Sequence, residues 1–284
     1  MKKLFVIDGL GILFRSFYAT RELKNYKNEN IAGIRGFIAQ INKIIQLKGA
    51  KHMVVALDTG KKTWRHLASD KYKSNRVKTP DELIHQFEWI REACDCMGIR
   101  YFEGQECEAD DWIASIAKTH REDAEIYIVS LDKDLCQLVD DSVFIYDSFS
   151  NTVLKNEDII KKFGVRPSQM VDFLSLTGDC SDCVDGAKGI GPKTASKWLS
   201  EYPNLEEIIE SIDLLNPKSR AEMLKSSIEK VKLAKTMISL RSSLQVAPLE
   251  ELSIKPSMSS LKLFMERVGL FDLMQKIEPT LLRF

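Results

Sequence analysis

Short apolar runs alternate with longer amphipathic stretches along the first half of the chain. The runs are partly β-branched and bounded by polar residues or glycine, which predicts buried strands at 4–7, 53–57, 99–102, 126–130 and 143–146. Between them, apolar residues recur at spacings of three and four, which predicts helices at 31–47, 81–96 and 109–120. This alternation predicts an α/β fold with a mostly parallel central sheet flanked by helices.

Strand patterns nearly disappear after about residue 156. Candidate helices separated by glycine, proline, asparagine and serine follow at 157–163, 167–176, 193–199, 205–212, 222–240 and 259–268. We therefore place a boundary near Gly164, with an α/β domain at 1–163 and a smaller all-helical domain at 164–284. Since no Gly/Ser-rich linker separates the halves, we expect them to pack together, with the last segment packing back on the first domain.

Composition describes a globular protein and excludes several classes. The chain has 284 residues, 44% of them hydrophobic, and 41 basic side chains balance 41 acidic ones. The first apolar stretch stops at Asp8, too short for a signal peptide or a membrane span, so we expect a cytoplasmic protein with no membrane contact. Six cysteines are too sparse for a disulfide scaffold and are expected to be thiols.

Acidic residues cluster where the strands are predicted to end. Ligands of open parallel sheets bind beyond the carboxyl ends of the strands. Strand ends and the start of the helix at 109–120 should therefore bring seven acids to one rim: Asp8, Asp58, Glu108, Asp110, Asp111, Asp132 and Asp134. Asp179 and Asp182, three residues apart after a helix in the second half, are candidates to join them.

Repulsion among these nine carboxylates indicates a metal site. At about 6 Å and an effective dielectric of about 20, each pair repels by roughly 3 kcal/mol, and several pairs rival a domain stability of about 5–15 kcal/mol. Any single acid here could be an ordinary cap or a solvated loop residue. Taken together, all-oxygen ligands without histidine favour two Mg²⁺ or Mn²⁺ ions, a device for phosphodiester hydrolysis.

Two further segments suggest a nucleic-acid partner. Residues 61–78 contain seven basic side chains against one acid, interleaved with Trp64 and Tyr72, so they could clamp phosphates and stack on a base. The alternative is a solvated, charged helix face. The glycine-rich segment 186–195 favours a helix-hairpin-helix element gripping a duplex backbone, because Pro192 interrupts the Gly-Lys step of a phosphate-binding P-loop.

The ordered motifs resemble the 5′ nuclease family, in particular the 5′-3′ exonuclease domain found at the N-terminus of bacterial DNA polymerase I and related to flap endonucleases. The resemblance spans nearly the whole chain. Its motifs are Val6-Ile7-Asp8-Gly9 with Arg15 and Tyr18, Ala56-Leu57-Asp58, Trp64-Arg65, Tyr72-Lys73-Ser74-Asn75-Arg76, Glu108-Ala109-Asp110-Asp111, Asp132-Lys133-Asp134, Gly178-Asp179-Cys180-Ser181-Asp182 and Gly189-Ile190-Gly191-Pro192-Lys193-Thr194-Ala195.

The resemblance implies a role for each group of residues. Around a first metal it places Asp8, Asp58, Glu108, Asp110 and Asp111, and around a second Asp132, Asp134, Asp179 and Asp182. It implies a helical arch at about 61–90, in which Lys73 and Arg76 contact the scissile phosphate and Tyr72 stacks on the terminal base, with Arg15 as a further phosphate contact. DNA-binding positions would be Arg65 and, in a hairpin element at about 178–200, Lys188, Gly189, Gly191, Lys193 and Thr194, where K⁺ could also bind.

The sequence therefore predicts a monomeric, Mg²⁺-dependent 5′-3′ exonuclease and flap endonuclease of replication and repair, acting on DNA 5′ ends, flaps or nicks and on RNA–DNA primers. Two alternatives stay open, an RNA-directed nuclease and a structure-specific DNA-binding module without catalysis. Cys180, Cys183 and Leu10 depart from the family pattern, beside the second metal and after the first Asp-Gly step. The sequence does not decide between a free-standing nuclease and a domain of a larger polymerase.

Overall fold

The computed structural model describes residues 1–20, 22–104 and 106–284, and within them the first half folds around a six-stranded sheet. Its spatial order is β3-β2-β1-β4-β5-β6, and every neighbouring pair is parallel except β5 and β6, so the predicted mostly parallel sheet is confirmed. The strands are β1 (Lys2–Asp8), β2 (His52–Leu57), β3 (Arg100–Glu103), β4 (Ala124–Val129), β5 (Val143–Asp147) and β6 (Thr152–Leu154). Since β1, β2 and β4 run in one direction side by side, their carboxyl ends share one edge.

Helices cover both faces of this sheet, which explains why its central strands are continuous apolar runs. Successive side chains of β1 alternate between two cores: Leu4 and Val6 pack in one, Phe5 and Ile7 in the other. The helices of this half are α1 (Gly9–Ala19), α2 (Ala32–Lys48), α3 (Trp64–Ala68), α4 (Asp81–Met97) and α5 (Ala109–His120). Helix α1, which the apolar pattern did not reveal, begins directly after Asp8.

The second half is helical, as expected. The helices are α6 (Asn156–Phe163), α7 (Met170–Thr177), α8 (Pro192–Glu201), α9 (Leu205–Glu210), α10 (Lys218–Lys225), α11 (Ile228–Ile238), α12 (Met258–Val268) and α13 (Phe271–Leu281). The expectation of one helix over 222–240 is wrong, because α10 ends at Lys225 and α11 starts anew at Ile228. Leu261 and Phe264 of α12 and Leu273 of α13 pack into the core that holds α1 and α2.

Candidate active site

Eight of the nine acids face a shared region at the carboxyl edge of the sheet, here called the carboxylate basin. Asp8 ends β1, Asp58 follows β2, and the first turn of α5 carries Asp110. The residues of the basin are Asp8, Asp58, Glu108, Asp110, Asp132, Asp134, Asp179 and Asp182. The sheet topology brings the first six together, and a loop of the helical domain supplies the last two.

Backbone and hydroxyl groups fix the aspartates of the central strands. Asp8 caps α1 by accepting from the backbone N–H of Gly11 at 2.9 Å, and its second oxygen accepts from Ser130 Oγ at 2.9 Å. Asp58 accepts from the backbone N–H of Ala109 at 2.8 Å. Among the described residues the side chain of Asp110 has no hydrogen-bond or ion-pair partner, so its carboxylate is available to a ligand.

Burial and mutual repulsion favour the protonated forms of this group. Burial raises the pKa of Asp8 to about 6, with the charges of Asp58 and Asp132 adding to the effect. Burial likewise raises the pKa of Asp58, and it places the pKa of Asp110 well above the ordinary value, reinforced by neighbouring carboxylates. Without compensating cations the basin therefore holds protons near neutral pH.

A second group lies where the loop of the helical domain meets the end of β4. One oxygen each from Asp134, Asp179 and Asp182 lies within 4.8 Å of the others. Burial, then the charge of Asp132, raises the pKa of Asp134 to about 7. Its buried Oδ1 accepts no hydrogen bond, and Lys133 Nζ lies 3.4 Å away. A buried carboxylate oxygen that accepts no hydrogen bond is costly, so this position suits a bound cation.

Close backbone packing positions the loop that carries this group. A Cβ added to Gly186 would lie 2.3 Å from the backbone nitrogen of Gly178, so neither position accommodates a side chain. The backbones of Asp179 and Val184 exchange two hydrogen bonds of 2.8 Å. This narrow loop aims Asp179 and Asp182 toward the sheet.

Three cations project into the basin. Lys73 Nζ lies 2.8 Å from Glu108 and 3.6 Å from Asp182, and Arg76 lies 3.1 Å from Asp182. Lys133, which had no expected role, lies 2.7 Å from Asp179, and although burial opposes its charge the neighbouring carboxylates raise its pKa. Its position between Asp132 and Asp134 in the sequence could have indicated that Lys133 lies in the basin. Nothing in the sequence indicated that Ser130 would donate a hydrogen bond to Asp8.

The expectation that Asp111 is a metal ligand is not met by its placement. Asp111 is fully buried and both its oxygens accept from Arg65, at 2.8 and 2.9 Å. It also accepts from the backbone N–H groups of Arg241 and Glu108. Burial opposes ionisation, but the Arg65 guanidinium outweighs it and lowers the pKa of Asp111. Its lone pairs are therefore already used.

Arg65 and Tyr72 also differ from expectation. Arg65 is 2% exposed, which removes it from direct contact with DNA. The Tyr72 ring is 5% exposed and packs edge-on against His66, and its hydroxyl lies 2.8 Å from Glu108. With its ring covered, Tyr72 does not offer a face for base stacking. Both residues instead build the wall of the basin.

The segment at 71–76 closes onto the loop of the helical domain. The backbone N–H of Lys73 donates to Asp182 O at 3.0 Å, and Asn75 donates to Cys180 O at 3.1 Å. Lys73 itself adopts a left-handed conformation, with φ of 54°. This anchoring holds the cations of the expected arch beside the basin.

The remaining expected positions lie outside the basin. Lys188, Gly189, Gly191 and Lys193 are exposed around the turn before α8, and Thr194 is half-buried in its first turn. Gly189 has φ of 77°, a conformation that favours glycine. Arg15 on α1 binds Asp147 at 3.2 Å, in a cavity that adjoins Asp8.

Comparison with known proteins identifies the family to which this chain belongs. A family model described as 5′-3′ exonuclease, N-terminal resolvase-like domain, matches residues 3–164, and another, described as 5′-3′ exonuclease, C-terminal SAM fold, matches residues 165–260. The chain belongs to the 5′-3′ exonuclease family, the class that includes flap endonucleases. The resemblance stated from the motifs is therefore confirmed.

Individual relatives support the same family assignment. DNA polymerase I of Borreliella burgdorferi is 35% identical over 260 residues, covering 90% of this chain and 28% of that protein. The chain spans 25–33% of the length of the curated polymerases it matches. T5 5′-exonuclease with bound zinc shares the fold at a TM-score of 0.73 and 22% identity, covering 99% of each chain. The catalytic core of Rad2 in complex with DNA substrate shares the fold at a TM-score of 0.65 and 19% identity, covering 99% of this chain and 91% of that one.

Proposed function

We propose that this chain is a Mg²⁺- or Mn²⁺-dependent 5′-3′ exonuclease and flap endonuclease that hydrolyses DNA, and primer RNA paired with DNA, in replication and repair. The observation that carries this proposal is the convergence of carboxylates on one basin, including an Asp110 side chain without a partner among the described residues and a buried Asp134 oxygen that accepts no hydrogen bond. Metal ions in the T5 enzyme and DNA on Rad2, which share this fold, support it.

The oxygen donors fit two hard cations. Asp8, Asp58 and Asp110 would hold the first ion, with Asp132 between the two groups. Asp134, Asp179 and Asp182 would hold the second. Ions bound there would lower the pKa of a water molecule and neutralise charge on the phosphate.

Lys73 and Arg76 would act on the phosphate that is cut. Each can donate to non-bridging oxygens and stabilise charge that develops on them. Lys73 Nζ contacts Glu108, so transfer of this lysine to a phosphate would free a Glu108 oxygen for the first ion. Arg65 and Tyr72 would position Glu108 and Asp111 without touching the substrate.

The turn before α8 would grip the duplex at a distance from the cut. Lys188 and Lys193 are exposed there, and the backbone N–H groups of Gly189 and Gly191 precede the start of α8, whereas that of Thr194 donates to Gly191 O at 3.0 Å. Such a turn binds phosphates without reading bases. We propose K⁺ as a further ligand of this turn and a monomer as the working unit.

A 5′-labelled flap duplex tests the proposal. The wild-type chain should release labelled product with Mg²⁺ and none with EDTA, and Lys73→Ala should cut more slowly. A duplex whose flap is made of RNA tests the alternative of an RNA-directed nuclease. That alternative predicts that the DNA flap is not cut faster than the RNA flap. Binding of the flap without metal-dependent cleavage would instead identify a DNA-binding module.

Location in the cell is a separate matter. None of the helices in the described part of the chain is both long and apolar enough to cross a membrane. We propose that the protein works in the cytoplasm, which fractionation of cells carrying the tagged full chain would test.

A further inference from the structure

A cavity of about 320 Å³ adjoins the carboxylate basin and is called here the side cavity. It lies between α1 and the ends of β4 and β5, and it shares Asp8 and Asp132 with the basin. Ile12, Leu131 and Phe149 give it apolar walls, and Arg15 is its cation. Apart from Asp8 and Asp132, which belong to the basin, only Arg15 among these residues had an expected role.

Arg15 and Phe149 form a planar platform in this cavity. The Arg15 guanidinium carbon lies 3.9 Å from the centre of the Phe149 ring. Asp147 fixes both residues, since it accepts from Arg15 at 3.2 Å and from the backbone N–H of Phe149 at 2.9 Å. With 39% of its side chain exposed, Arg15 keeps donors for a ligand.

Two neighbouring residues point to a ligand. Ser148 lines the cavity and is 2% exposed, and its Oγ is buried with no hydrogen-bond partner. Buried hydroxyl groups are normally paired. Leu131, at the rim between Ser130 and Asp132, is 55% exposed, so its side chain is accessible to a ligand in the cavity. A ligand with an apolar face and polar edges would satisfy both.

We propose that the side cavity binds the nucleoside that adjoins the phosphate held at the basin. Its base lies along Leu131 and the Arg15–Phe149 platform, and Ser148 Oγ and the free donors of Arg15 bind polar edges. This inference rests on the proposed function, because it assumes that a DNA substrate is bound with the phosphate to be cut at the basin.

Size and charge favour a single nucleoside. Ligand pockets range over about 300–1,000 Å³, and at about 320 Å³ the cavity is at the small end, too small for two stacked nucleotides. Arg15, the one cation that lines the cavity, is already paired with Asp147, so the cavity offers a phosphate no unpaired cation. The uncharged base and sugar fit inside, with the phosphate directed to the basin.

Abasic DNA tests the proposal by equilibrium binding of the full chain. Flap duplexes lacking the base at either nucleotide beside the junction phosphate are compared with intact DNA by fluorescence anisotropy in EDTA. At one of these two nucleotides, removal of the base should weaken binding to the wild type about tenfold relative to the intact duplex. This is the loss expected for a base that stacks on a side chain. Leu131→Ala and Phe149→Leu should reduce that ratio to about twofold.

The control is Leu263→Ala, a change to an exposed leucine on α12, which should keep the tenfold ratio. Melting curves verify that each variant is folded. Equal ratios in the wild type and both cavity variants would overturn the proposal. So would tighter binding of free deoxyadenosine monophosphate to the wild type than to the variants, with no effect of abasic sites on DNA affinity, since the cavity would then take a free nucleotide.

Cleavage in Mg²⁺ is measured separately on the same DNA. A wild type that shows the binding ratio but does not cut refutes the nuclease function and leaves the nucleoside site standing. If the wild type cuts the DNA but binds intact and abasic duplexes equally, only the nucleoside site is refuted.

Discussion

Asp111 receives two hydrogen bonds from the guanidinium of Arg65, and side-chain exposure is 0% for the aspartate and 3% for the arginine. Arg65 Nε also donates to Met237 O at 2.7 Å, near the end of α11. The pair therefore joins α3, the start of α5 and the helical domain. Since Glu108 and Asp110 lie within the three residues before Asp111, this ion pair fixes one side of the basin.

Arg65→Met should strongly destabilise the chain. It leaves the buried Asp111 carboxylate without its partner, which typically costs about 3–5 kcal/mol, measurable as the free energy of unfolding in urea. Arg65→Met combined with Asp111→Leu should recover part of the loss, because the buried charge of Asp111 is then removed as well; Glu108, which also pairs with Arg65, keeps the recovery incomplete. As a control, Lys232→Ala at an exposed pair on α11 should change stability by less than about 0.5 kcal/mol. A similar small change for Arg65→Met would contradict a structural role.

Asp110→Asn and its neighbour Asp111→Asn should have opposite effects on stability. Asp110 is repelled by Asp132, Asp58 and Asp8 and has no partner among the described residues, so Asp110→Asn should stabilise the chain in EDTA by about 1–3 kcal/mol. It should also reduce Mg²⁺-dependent flap cleavage by at least about a hundredfold, roughly 2.7 kcal/mol in the barrier. Asp111→Asn should destabilise the chain by weakening the Arg65 ion pair.

Urea unfolding in EDTA and single-turnover cleavage in Mg²⁺ are measured on both variants. The ligand assignment of Asp110 fails if Asp110→Asn cuts at the wild-type rate. The structural assignment of Asp111 fails if Asp111→Asn is as stable as the wild type.

Stability in EDTA should fall as the pH rises from about 4 to 7. The folded pKa values of Asp8 and Asp134 are raised to about 6 and about 7 from 3.8, so their contribution is fully present below pH 4 and is lost as the pH rises through the folded values. One pKa unit corresponds to about 1.4 kcal/mol, so Asp8 alone accounts for about 3 kcal/mol. The lowered pKa of Asp111 acts in the opposite direction, below about pH 4.

Urea unfolding at pH 4, 5.5 and 7 checks this trend. Asp8→Asn should flatten the decline, and Asp213→Asn, at a side chain that is 85% exposed, should leave it unchanged. A stability that rises throughout this interval would mean that the basin is not desolvated as described.

The acids could be located from the sequence because strand direction alone determines where Asp8, Asp58 and Asp132 lie. The α/β class followed from the same alternation. The roles of Arg65, Asp111 and Tyr72 could not be predicted, because they depend on whether a side chain turns toward solvent or toward another domain. Helix α1 was not predicted because most of its residues are apolar, which hides the helical period. Helix α13 has a regular apolar stripe, but Pro279 within it argued against a helix.

The turn before α8 should contribute a salt-dependent, sequence-independent share of DNA binding. Lys188 and Lys193 are exposed on either side of Gly191, and each phosphate contact contributes about 0.9 to the slope of log affinity against log salt concentration. The double variant Lys188→Ala, Lys193→Ala should therefore reduce that slope by about 2, measured by anisotropy of a labelled duplex in EDTA from 50 to about 200 mM salt. The loss should be the same for duplexes of different sequence, because backbone contacts carry no base information. Lys276→Ala, an exposed lysine on α13, is the matched control and should keep the full slope. If the double variant keeps the wild-type slope, the duplex is bound elsewhere, and the arch cations Lys73 and Arg76 become the principal phosphate contacts.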